Sequence, residues 1–355
     1  MKRIIALGLA VSMAIGLTGC SSSTTGGKET PAASKETKAA NHETGDADSK
    51  TAFPKMNIDL ATVYDAKSAP ALGAARFKEL IEDKSSGAIK INIFTNGSLG
   101  TEKDNFTALA ADEIPMVVGG IQPIDMYAPE YQFLSAPYMI KDWDHLDAVL
   151  GSEIGEGLYK KLDENNIHAL AMNRRGIRET TANKEIKTPA DLKNIKFRVS
   201  EITSWVAFWK GVGALTTSVA LTELYSALQT NVVEASEGPY EQFATNKLYE
   251  VQKYVINTHH IYEPTWIYIS RKQYDAMDEE TKALFQECAD QAMEYANEQA
   301  EILSGQFLQE MVDNGCTVVE PDVDAFRAAA EPVLKDLFET MWTVTTYDEV
   351  MGYAE

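Results

Sequence analysis

Residues 56–93 read MNIDLATVYDAKSAPALGAARFKELIEDKSSGAIKINI, and this stretch decides the fold class. Met56, Ile58, Leu60 and Thr62 alternate with Asn57, Asp59 and Ala61, which predicts a half-buried strand ending near Tyr64. Pro70 suits a first helical turn, and Leu72, Phe77, Leu80 and Ile81 then fall near helical spacing until Ser85-Ser86-Gly87 stops it. Ile89, Ile91 and Ile93 alternate with Lys90 and Asn92 as a second strand. Strand, helix, strand is the pattern of an α/β sheet.

Outward from this unit the pattern continues. Asn96 to Gly100 forms a turn, Phe106, Leu109 and Ala110 mark a helix, and Pro115 to Gly120 a short buried strand. A helix is expected over 144–165, strands over 169–172 and 195–199, and helices over 204–212 and 222–230. Residues 278–307 read as one long helix or as two with a break, and 323–341 as a last amphipathic helix. No internal repeat is visible. About 300 residues with this apolar content bury a large core, and two lobes are expected.

The N-terminus gives an address. Lys2 and Arg3 precede an apolar run from Ile4 to Leu17 that is too short to span a bilayer comfortably, which describes a secretory signal. Leu17-Thr18-Gly19-Cys20 matches a bacterial lipobox, so residues 1–19 are expected to be a lipoprotein signal peptide and Cys20 the lipidated residue. The chain is then expected outside the cytoplasm, held to a membrane face by acyl chains at about 0.8 kcal/mol per buried methylene. Residues 20–54, rich in Ser, Thr, Ala, Lys, Glu and Gly, read as a flexible tether.

Charge narrows the partners. With 53 acidic and 32 basic residues the net charge is −21, which argues against nucleic acid and against anionic membrane surfaces. An anionic ligand would have to be caught by local positive groups. Arg174, Arg175, Arg178 and Arg198 lie close together in sequence, two of them at edges of expected strands, where α/β proteins bind ligands. An arginine there either grips a carboxylate through two parallel hydrogen bonds or pairs with one of the many acids. Catalytic sets are missing: the sequence has no Gly-x-Ser-x-Gly, no His-Glu-x-x-His, no phosphate loop and no zinc spacing. Adjacent His259 and His260 would face opposite sides of a strand, one buried and one solvated, so no metal site and no cofactor are expected. Cys288 and Cys316 are open to pairing or to burial as thiols.

Gly176-Ile177-Arg178-Glu179-Thr180-Thr181, the run Ile186-Lys187-Thr188-Pro189-Ala190-Asp191-Leu192 leading to Lys196-Phe197-Arg198-Val199, and Thr222-Glu223-Leu224-Tyr225-Ser226-Ala227-Leu228-Gln229 leading to Glu237-Gly238-Pro239 carry a resemblance. Together with Gly97-Ser98-Leu99-Gly100, Ala136-Pro137-Tyr138 and Tyr249-Glu250-Val251-Gln252-Lys253-Tyr254, they are similar to TRAP-transporter solute-binding proteins, the C4-dicarboxylate-binding family, from about Lys55 to the C-terminus. The resemblance implies an α/β, two-lobe periplasmic-binding-protein-like fold with a ligand cleft between the lobes and a long helix spanning both. Lobe I would comprise 55–173 plus 262–302, and lobe II 174–261 plus 303–355.

It further implies a monomeric, non-enzymatic receptor that takes a small organic carboxylate to TRAP membrane subunits. Arg198 matches the position that clamps the carboxylate, and Arg178 a second that assists. Gly238 stands where the family usually has asparagine, so a pocket amide is missing. Leu221 stands where an aromatic residue is common, and the turn around Tyr64 to Ala71 looks plain. Fewer polar partners imply a ligand poor in hydroxyls, such as a short, keto or aromatic acid, with a sugar acid as the rival. Tyr64, Trp266 and Trp205 are candidate pocket walls, although Trp205, Phe208 and Trp209 have the spacing of core residues. A receptor associated with a sensor would read the same, and an exported enzyme would need a nucleophile or metal set.

Overall fold

The structure is a computed structural model that describes residues 53–354. The signal, Cys20 and nearly all of the tether lie outside the described residues. In the opening unit Ile58 and Leu60 turn inward in β1 (Met56–Ala61), and Ser68 caps α1 (Ala69–Lys84) by accepting from the Ala71 N–H, with Pro70 in the first turn. Parallel to β1 lies β2 (Ile89–Phe94), Met56 opposite Ile89.

A capping box of Thr101 and Asp104 starts α2 (Glu102–Ala110), which leads to β3 (Met116–Gly119) and the short α3 (Gln122–Tyr127). The single helix expected over 144–165 is two, α4 (Trp143–Leu150) and α5 (Glu153–Glu164). Ser152 caps the second one, and the turn folds so tightly that a Cβ on Gly155 would sit 1.9 Å from the Leu150 carbonyl oxygen.

The strand expected over 169–172 is far longer. β4 (Ile167–Ala182) runs antiparallel to β8 (Tyr254–Ser270), and bulges at 169–171, 174–176 and 178–180 break the alternation that sequence periodicity relies on. Between them come β5 (Lys196–Val199), α6 (Thr203–Gly211), β6 (Leu215–Ser218), α7 (Leu224–Gln229), β7 (Ala235–Gly238) and α8 (Tyr240–Thr245). The sheet order is β2-β1-β3-β8-β4-β7-β5-β6. The two long strands therefore carry β1–β3 on one side and β5–β7 on the other.

After α9 (Arg271–Asp275) the long segment is one helix, α10 (Glu279–Asp313), capped by Asp278. Its middle packs on α1, where Gly73 lets Met293 and Ala296 approach; its end places Phe307 and Met311 among Leu224, Leu228 and Phe243. One rigid rod thus buttresses both ends of the sheet. β9 (Thr317–Val319) adds to β8, and α11 (Val323–Thr340) and α12 (Tyr347–Gly352) close the largest core cluster, in which Trp205, Phe208 and Trp209 are buried. Cys288 and Cys316 are buried free thiols in separate clusters. Among the described residues no helix is long and apolar enough to cross a membrane.

The α1–α10 contact has no slack, because a Cβ at Gly73 would lie 2.8 Å from Met293 Cε and 3.0 Å from Ala296 Cβ. Gly73→Val should lower the unfolding free energy by about 1–3 kcal/mol through overpacking. Urea unfolding followed by circular dichroism measures it.

Candidate anion-binding site

Three arginines meet where β4, β5, β7 and β8 come together. On a regular strand Arg175 and Arg178, three residues apart, would project to opposite faces. The register shift at Gly176, whose φ is +149°, turns both to one side. There they share one carboxylate oxygen, Glu263 Oε1, at 3.0 Å from Arg175 Nη1 and 2.7 Å from Arg178 Nη1.

Each has a second acid. Arg178 Nη2 donates to Glu237 Oε1 at 2.7 Å and its Nε to the other oxygen, while the guanidinium lies 4.3 Å from the centre of the Trp205 ring. Arg175 Nε donates to Glu241 Oε1 at 2.6 Å, and its guanidinium lies 4.1 Å from the Tyr64 ring centre. Burial alone would raise the Glu237 carboxyl, but Arg178 and His260 hold it down to about 2. His260 is buried against Glu237 Oε2 at 3.3 Å, and burial pushes its ring below the usual histidine range. Its neighbour His259 has a side chain 41% exposed, as the opposite-face reading expects.

Arg198, on β5, is different. It is 1% exposed, and among the described residues only its Nε has a partner, the Val219 carbonyl oxygen at 2.9 Å. Nη1 comes within 3.7 Å of Glu237 without a hydrogen bond, and neither Nη has an acceptor. Burial lowers the guanidinium to about 10, with Glu237 opposing, so it is charged at neutral pH. A buried cation with idle donors is costly unless an acceptor is supplied.

A cavity of about 400 Å³ opens beside it, walled by Val63, Glu102, Gln122, Arg198, Ser200 and Leu221 among others. Glu102 opposes Arg198 in this wall. Its Oε1 accepts from the Gly120 N–H at 2.7 Å and the Tyr64 hydroxyl at 3.3 Å, and burial raises its carboxyl above the usual range.

The sequence candidates separate. Arg178, Arg198 and Tyr64 come together in the charged centre, and Leu221 lines the cavity. Trp205 serves as core and as platform for Arg178, its Nε1 donating to the Ser135 carbonyl oxygen at 2.7 Å. Trp266 is buried in the core and does not line this cavity. Gly238 lies outside this cavity and packs against Gln242, whose Nε2 lies 2.3 Å from where a Cβ would stand and donates to the Glu237 carbonyl oxygen at 3.0 Å. Sequence reasoning did not single out Glu102, Glu241, Glu263 or a role for Arg175. Acids are too abundant in this chain to stand out, and only the three buried cations say that some must be inside.

The sequence and the fold are both similar to those of known proteins. A family model described as bacterial extracellular solute-binding protein, family 7, matches residues 60–341. The C4-dicarboxylate-binding periplasmic protein of Rhodobacter capsulatus is 28% identical, over 76% of this chain and 81% of its own. A TRAP periplasmic solute-binding protein from Roseobacter denitrificans, with bound L-galactonate, superposes with a TM-score of 0.78 at 27% identity, over 85% of this chain and 100% of that one. Another from Bordetella bronchispeptica, with density assigned to pantoate, gives 0.79 at 26%, over 84% and 99%.

Glu237→Ala would leave Arg178 with Glu263 alone and remove the acid nearest Arg198, and should cost about 3–5 kcal/mol in urea unfolding. Because the folded carboxyl titrates near 2 against the ordinary 4.5, its contribution is present above pH 4.5 and lost as pH falls towards 2. The wild-type protein should lose that increment across this window, and the variant should not.

Proposed function

Since the chain belongs to the bacterial extracellular solute-binding proteins of family 7, we propose that it captures a small organic carboxylate outside the cytoplasm and delivers it to the membrane subunits of a TRAP-type transporter. The observation that carries this reading is Arg198, a charged guanidinium whose two Nη atoms are buried beside a cavity with no acceptor among the described residues. A carboxylate supplies two parallel acceptors to such a fork. Arg198 is itself buried, so an ion pair made there is stronger than one at the surface.

Residues 55–173 with 262–302 form one lobe and 174–261 with 303–355 the other, closing over the solute. Links across this division support the reading. The Ala69 N–H donates to Glu241 Oε2 at 2.9 Å, the Thr203 N–H to Asp125 Oδ1 at 2.8 Å, and Lys103 pairs with Glu201 at 3.1 Å. The protein acts as a monomer tethered through lipid on Cys20, which keeps the receptor at high local concentration near its transporter. The residues at Leu221 and Gly238 favour a ligand poor in hydroxyls, although the cavity wall also carries Thr101, Gln122, Ser200 and Thr222. A sugar acid is the rival class, since the 27% identical Roseobacter protein holds L-galactonate.

A thermal-shift screen of the mature protein against aliphatic, keto, aromatic and sugar acids tests this. A true ligand at a hundred times its Kd should add about 2.7 kcal/mol of stability, and Arg198→Ala should abolish the response. If no acid stabilises the protein, or the variant responds unchanged, the reading is wrong; a sugar acid as best ligand would sink the hydroxyl-poor class alone.

A further inference from the structure

Helix α1 begins with one backbone donor that its own residues leave over. Pro70 carries no N–H, and the Ala71 and Leu72 N–H groups are taken by the side chain and the carbonyl oxygen of Ser68. The Ala69 N–H remains, in a first turn without an acidic residue, where Ser68 and Ala69 are each 1% exposed. A buried helix end of this kind needs an acceptor, and its partial positive charge favours an anion.

That acceptor comes from the other side of the cleft. Glu241, on α8, is 6% exposed and uses both oxygens: Oε1 accepts from Arg175 Nε at 2.6 Å, and Oε2 from the Ala69 N–H at 2.9 Å. Around this contact lies a chamber of about 170 Å³, walled also by Tyr64, Asn96, Leu221 and Thr222. Beside it a Cβ at Gly97 would lie 2.5 Å from Thr222 Cγ2, a second place where the two sides meet without slack. Val63, Leu221 and Thr222 also wall the cavity next to Arg198, to which Glu241 does not contribute.

We propose that Glu241 is a latch: on closure its carboxylate docks on the N-terminus of α1 and keeps the solute in without touching it. This rests on the reading of a two-lobe carboxylate receptor above and deepens it. Arg175 and Glu241 belong to the same lobe, so their bond is kept when the lobes part, whereas the bond to Ala69 is lost. Glu241 is thus a positioning residue whose effect falls on escape. Entry precedes closure and does not use the contact; escape requires the contact to break. Donors face Glu241 from both lobes, and a carboxylate has an oxygen for each, whereas a glutamine has only one.

Stopped-flow binding tests the latch, using whichever aliphatic, keto, aromatic or sugar acid gave the largest shift in the thermal screen. Glu241→Gln should raise the dissociation rate constant about tenfold or more and change the association rate constant less than about twofold. Ala69→Pro removes the same hydrogen bond from the other lobe, leaves every charged group present and puts proline at a helical position that favours it. It should have the same effect and covers the case of an unstable Glu241 variant. The double variant should release the acid about as fast as the faster single one, because both changes break one contact. If only one of the two variants speeds release, if the double variant multiplies their effects, or if the loss appears as slower association, the latch is wrong. Unchanged release in both, with binding still dependent on Arg198, also overturns it and leaves the carboxylate reading standing. Binding of no acid at all would remove both.

Discussion

Burying three guanidinium groups at the centre of a chain with net charge −21 is the constraint on which the rest depends. Two of them, Arg175 and Arg178, are fully matched by Glu241, Glu263 and Glu237, in contacts of 2.6–3.0 Å for those with Glu241 and Glu263. Dry ion pairs of this kind contribute little net stability over an apolar core of the same shape, yet losing one partner is severe. Their use is positional. They leave Arg198 as the cation whose donors are unspent, beside a cavity that also holds Glu102.

Backbone irregularity makes this arrangement possible. β4 and β8 pair along most of their length, but their register slips three times, and the slip at Gly176 aligns Arg175 with Arg178. A regular ladder would have sent one of them to the far face of the sheet. The partner of these strands is α10, a single helix of 35 residues that packs on α1 through its middle and among Leu224, Phe243 and Cys316 at its C-terminal end. The site thus sits on bulged strands held by an uninterrupted helix, as precise placement of charged side chains demands.

Much of this was legible in the residues, for identifiable reasons. Alternating apolar residues specified β1 and β2, and Pro70 marked the start of α1, because these are local signals. Arg178 and Arg198 stood out because arginines cluster there in a chain poor in them and their motifs are ordered. The full length of β4 and β8 was not legible, since bulges destroy the period of two, and Gly151 with Ser152 hid a helix break. The acids of the site were also hidden. Glu241 and Glu263 look like any of the other acidic residues until the fold carries them, across 66 and 88 residues of sequence, to Arg175. The packing of Gln242 on Gly238 could not be foreseen, because it depends on how α8 folds back against β7.

The central claim is that Arg198 holds its Nη donors ready for a carboxylate. A crystal structure of the protein grown with its best-binding acid tests it most directly. The account predicts both carboxylate oxygens at about 2.7–2.9 Å from Arg198 Nη1 and Nη2, inside the cavity shared with Glu102 and Leu221. A bound acid whose carboxylate lies elsewhere, with both Nη atoms of Arg198 still lacking an acceptor, would contradict it.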